Sequence, residues 1–177
     1  MIFGDRLLVA LEISIERTIE QWVYGRFLLW LGGHSVGSHE DSGADVKGCI
    51  NWLSAFLAQP RDRCVPELMF APKDVVWRMI VEPVFESTES EARYSDSFSR
   101  FHLSHLGMSA FDRVTLVLIN DGKHNERYLW KQNNDAIMDY TAPLGSLVAS
   151  AKKAVLWFQE SRASAPTHDS PPSTPRG

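Results

Sequence analysis

The first thirty residues carry two strand patterns back to back, with no helical run between them. This constrains the fold more than any other feature. From Leu7 to Glu16 the chain alternates, with Leu7, Val9, Leu11, Ile13 and Ile15 on one side and Leu8, Ala10, Glu12, Ser14 and Glu16 on the other. A period of two sends successive side chains to opposite faces, so this is a strand with one buried face. A second strand spans about Trp22 to Leu31 and ends at Gly32-Gly33. Val23, Gly25, Phe27, Leu29 and Leu31 share one face, and Trp22, Tyr24, Arg26, Leu28 and Trp30 share the other. Both faces are largely apolar, which requires either cover on both sides or a face kept for a partner.

Helical spacing follows. Val46, Cys49, Ile50, Leu53, Phe56 and Leu57 form one stripe, stopped by Pro60. A shorter helix is predicted over Pro72 to Glu82, with Pro72 in its first turn and Asp74 at the positive end of its dipole. Phe98 to Leu103 is read as a weak strand and Asp112 to Ile119 as a strong one, with Val114, Leu116 and Leu118 facing away from Thr115, Val117 and Ile119. Asn120-Asp121-Gly122 is a turn signal, so Asn125 to Gln132 should return antiparallel, and Ala136 to Tyr140 adds a short strand. The last helix covers Leu144 to Glu160. Residues 161–177 are rich in Pro, Ser and Thr and are expected to form a disordered tail. The expectation is one α+β domain over residues 1–160. Its mostly antiparallel sheet has five to six strands, with about three helices packed on one face.

Familiar chemistry is absent from the pattern. His102 and His105 lie three apart, which on a strand means opposite faces and a poor metal pair. The glycine-rich run from Gly32 to Gly37 neither opens a helix nor carries the Lys of a phosphate loop. Cys49 lies on an apolar helical stripe, where a cysteine serves as a small hydrophobe. No catalytic residue, cofactor or metal site is therefore predicted. Asp5, Glu12 and Glu16 break the N-terminal apolar pattern, which argues against a signal peptide. No apolar run is longer than that from Phe27 to Leu31, which is too short for a membrane. Cys49 and Cys64 are read as reduced thiols, which places the chain in the cytoplasm.

Charge points towards a protein partner. The net charge is -4, and Lys152-Lys153 is the sole adjacent basic pair, a poor match for nucleic acid. Glu82, Glu86, Glu89, Glu91 and Asp96 are offset only by Arg93. Such a stretch is either a solvated loop or a patch that steers a basic partner. The candidate contact residues are Glu86, Glu89, Glu91, Tyr94 and Asp96, followed by His39, Glu40 and Asp41 in the polar loop after the second strand. Loops held by rigid elements are where binding residues concentrate.

Particular residues carry a resemblance. Met1-Ile2-Phe3-Gly4-Asp5, then Trp22-x-Tyr24-Gly25-Arg26-Phe27 and Trp30-x-Gly32-Gly33, resemble immunity protein family 42 of bacterial polymorphic toxin systems. Arg100-Phe101, Phe111-Asp112 and the closing helix after Pro143 are similar too, so the likeness covers most of residues 1–160. The resemblance implies a cytosolic antidote that binds a cognate toxin domain and needs no cofactor. It supplies no catalytic residues and leaves the oligomeric state open. The alternatives are a different non-catalytic protein-binding adaptor, or a small hydrolase whose site is assembled from scattered residues.

Overall fold

A computed structural model of the chain describes residues 1–59, 62–85, 98–133 and 135–163. The opening residues form an antiparallel sheet of β1 (Ile2–Gly4), β2 (Val9–Ile19), β3 (Trp22–Leu31) and β4 (His34–Val36), in that order, with β5 (Ala44–Asp45) also pairing with β3. Gly32 and Gly33 join β3 to β4 through a two-residue turn with φ of 57° and 85°. Two successive positive φ values are the demand that glycine meets without strain. A β-bulge between Ile15 and Arg17 shifts the β2–β3 register near its far end.

β6 (Val114–Asn120), β7 (Asn125–Gln132) and β8 (Met138–Pro143) form a second, three-stranded antiparallel sheet. The expected mixture of helices with antiparallel strands is present. The eight strands of the described residues divide between two sheets, where the sequence suggested one of five to six. Alternation along single strands cannot reveal this division, because it depends on which distant strands pair.

Helix α1 (Val46–Ala58) buries Val46, Cys49, Ile50 and Leu53 against the first sheet, while Phe56 and Leu57 are half-buried at its margin. Helix α5 (Ser146–Ala163) lies beside it and buries Leu147, Ala151, Ala154 and Phe158. It reaches Ala163, three residues beyond the expected Glu160. Residues 164–177, most of the proposed tail, lie outside the described residues.

The core has two parts, with the second sheet between them. Leu116, Leu118, Tyr128 and Trp130 join the first sheet and its helices in the main core. Val117, Ile119 and Leu129 point the other way, into a second core. There they meet α2 (Lys73–Ile80) through Val76, Trp77 and Ile80. The predicted alternation along β6 is thus realised, with both faces buried. After α2 comes the short α3 (Glu82–Phe85).

The weak strand predicted over Phe98 to Leu103 is instead a helical turn, α4 (Phe98–Phe101). Its spacing explains the difference: Phe98 and Phe101 are three apart and both turn into the second core. His102 forms an isolated bridge to Val117. A 3-10 segment over Ser104–Phe111, kinked at Met108, then carries Leu106, Ala110 and Phe111 into the main core.

Candidate functional site

His39, Glu40 and Asp41 sit in the loop between β4 and β5 and line one wall of a cleft of about 700 Å³. The other wall is Ser109, Ala110, Asp112 and Arg113, and Gln132 and Asn133 close one end. The loop is fastened at several points. The Gln132 side-chain amide pairs with both backbone groups of Gly37, each at 3.4 Å, and the Ser38 N–H donates to the Ala110 carbonyl at 2.9 Å. The Ser109 hydroxyl donates to Asp41 Oδ2 at 2.7 Å, and Asp41 Oδ1 accepts the Gly43 N–H at 2.8 Å. Gly37 has φ of 109°, and a Cβ there would lie 2.9 Å from the Phe111 ring. The loop's path over the 3-10 segment therefore requires glycine.

The lining holds three carboxylates, Glu40, Asp41 and Asp112, against one guanidinium, Arg113. The cleft therefore favours a cationic visitor. Asp112, Arg113, Gln132 and Asn133 were missed in the sequence reading, although a signal for them existed. The hairpin register sets Val114 opposite Gln132, so the polar residues at and just beyond the two strand ends meet. Glu86, Glu89, Glu91, Tyr94 and Asp96, the other predicted contacts, lie outside the described residues.

His39 links the cleft to the outer face of the first sheet. Its Nε2 is 2.7 Å from Ser35 Oγ, and its ring meets Trp30 edge-on at 6.3 Å. Trp30 Nε1 donates to Glu12 Oε2 at 2.8 Å, and Arg6 lies over the Trp30 ring while donating to the same oxygen at 2.6 Å. Burial pushes the Glu12 carboxyl up, but the hydrogen bonds from Arg6 and Trp30 and the nearby positive charges outweigh it. Its pKa is held below the ordinary carboxylate value. Farther along the same face Arg17 covers Tyr24, Arg26 faces Glu16 at 3.6 Å, and Ile19 and Trp22 are about half exposed. Of the two options open to the Trp22–Leu31 strand, the structure selects an outer face that is only partly covered. Leu28 is buried there and Trp22 is exposed.

Among the described residues no three His, Cys, Asp or Glu side chains gather closely enough to hold a metal. Cys49 is buried, and desolvation by its apolar surroundings raises its thiol pKa far above the ordinary value. A thiol so held is a poor nucleophile. Among the same residues no helix is long and apolar enough to cross a membrane.

Comparison with known proteins fits this picture. The family model described as Immunity protein 42 matches residues 1–157. The crystal structure of CdiI from Burkholderia dolosa superposes with a TM-score of 0.72 over 89% of this chain and 99% of that one, at 14% sequence identity. At that identity the likeness is one of fold. A search of curated proteins finds no match.

Proposed function

Since the chain belongs to the immunity protein 42 family, we propose that it binds and neutralises a cognate toxin domain of a bacterial polymorphic toxin system, and does so in the cytosol. It acts by binding, without a cofactor and without turning over a substrate. The observation that carries this reading is the acidic cleft beside the β4–β5 loop, whose wall is fixed in advance by bonds to Gln132, Ala110 and Ser109. A fixed wall loses little entropy on binding, and its carboxylates speed the approach of a basic surface. A stable complex buries about 800 Å² on each partner, more than a loop supplies. The outer face around Trp30, Tyr24 and Trp22 adjoins the cleft through His39 and supplies further area. Sequence charge alone adds Glu86, Glu89, Glu91 and Asp96, with Tyr94 as an aromatic anchor, to the proposed contacts.

The test uses the toxin domain encoded beside this chain's gene, with surface plasmon resonance and a growth-protection assay. Reversing charge at Glu40 and Asp41 together should slow association by about tenfold at low salt and flatten its salt dependence. Unchanged rates and full protection would remove the cleft from the interface. A wild-type chain that neither binds nor protects would remove the function.

A further inference from the structure

Among the described residues no large apolar side chain is as exposed as Phe70, at 91%. Its surroundings are the opposite of a loose loop. The preceding Leu68 and Met69 are buried in the second core, and Pro66 and Pro72 bracket the segment with fixed φ. Arg127 holds it from below, its side chain only 6% exposed. Nη1 donates to the carbonyls of Leu68, Met69 and Ala71 at 3.0, 3.1 and 2.7 Å. Nε and Nη2 donate to Asp139 Oδ2 at 3.1 and 2.6 Å. A slack loop would let the ring fall back onto apolar surface. Here a buried cation fixes the backbone on both sides of it, and the ring stays in water.

Folding gains nothing from leaving the ring in water, whereas an interface can use it. Binding energy concentrates in a few aromatic or arginine anchors, and an anchor already held in place loses little freedom when it docks. We propose that Phe70 is an anchor of the toxin interface and seats in an apolar pocket rimmed by basic groups. The exposed carboxylates Glu67 and Asp74 lie on either side of it in sequence, against the half-buried Lys73, which leaves an excess of one negative charge over residues 66–74. They favour a cationic rim and disfavour a membrane, whose anionic headgroups would repel them.

Arg127, beneath the Phe70 segment, and Gln132, at the cleft, are five residues apart on β7 and so turn to opposite faces of the second sheet. Phe70 and the cleft are therefore separate contact regions, read out by separate substitutions. The proposal rests on the reading of the chain as a toxin-binding protein.

The experiment titrates the same neighbouring toxin domain against the full chain and against F70A and F70L. F70A should keep the wild-type unfolding midpoint while raising Kd by about tenfold or more, chiefly through faster dissociation. F70L, still apolar, should recover much of the loss. F70A that binds like wild type, while charge reversal at Glu40 and Asp41 weakens binding, would overturn the anchor and leave the function standing. F70L losing as much as F70A would overturn the apolar pocket. A wild-type chain that fails to bind the toxin would overturn both readings.

Discussion

Two carboxylates show how one functional group serves at different depths. Asp121 is half-buried at the β6–β7 turn, where it accepts the N–H groups of Lys123, His124 and Asn125. Those bonds hold its carboxyl well below the usual range. Glu126 is buried and accepts the Tyr128 hydroxyl together with the N–H groups of Gly145 and Leu147, which open α5. Desolvation, reinforced by the Glu126 charge and by its hydrogen bond, pushes the Tyr128 phenol well above its ordinary pKa. The phenol therefore remains a donor across the physiological range. Glu126→Ala would leave two buried donors, the Tyr128 hydroxyl and the Leu147 N–H, unpaired at about 1–3 kcal/mol each, besides the half-buried Gly145 N–H, so urea unfolding should show a loss of about 2 kcal/mol or more. Tyr128→Phe should cost less, because the two amide bonds survive. A Glu126→Ala loss below about 1 kcal/mol would mean that α5 finds another cap. Asp121 was legible in advance because Asn-Asp-Gly has a local meaning. Glu126 was not, since the two amides it caps lie 19 and 21 residues away.

At the scale of elements, strands with strict alternation and helices with a long stripe were legible, because each encodes its own period. β2, β3, β6 and β7 fall within two or three residues of expectation, and α1 begins at the predicted Val46. Short segments were less legible. Six residues around Phe98 to Leu103 satisfy either period, and only contact with the second core decides between them. The binding wall was partly legible: the polar loop with His39, Glu40 and Asp41 stood out, whereas Phe70 looked like one more apolar residue until its neighbours were placed. Helix stripes also overstate burial at their ends. Phe158 is 6% exposed in the main core, whereas Phe56 is half-buried, stacked on Trp52 with Arg63 over its ring. Phe158→Ala should cost about 3–5 kcal/mol, and Phe56→Ala about 1–2 kcal/mol. Thermal unfolding of both variants checks the order. Equal losses would show that the margin of α1 is packed as tightly as the centre of α5.

For the whole molecule, the placement of the second sheet governs how the fold can come apart. Its strands are a party wall: Leu116 and Leu118 serve one core, and Val117 and Ile119 the other. In this edge strand the Val117 and Ile119 amides turn to β7, whereas Leu116 and Leu118 turn to the other edge, where the Leu116 carbonyl accepts the Leu103 N–H. The central strand β7 is tied to β6 on one side and to β8 on the other. Opening either core strips one face of that wall, and the ladder cannot be released on one face alone. The two cores should therefore behave as a single cooperative unit despite being built from different stretches of chain. In native-state hydrogen exchange with rising urea, the amides of Val117, Ile119 and residues 128–130 should converge on one isotherm, at the free energy of global unfolding. The outer hairpin tip around Glu20 should exchange far earlier. Separate isotherms for Leu129 and for its neighbours Tyr128 and Trp130 would mean independent halves. A single one would mean that a lesion beneath α2 weakens the whole protein, the toxin-facing surface included, without touching it.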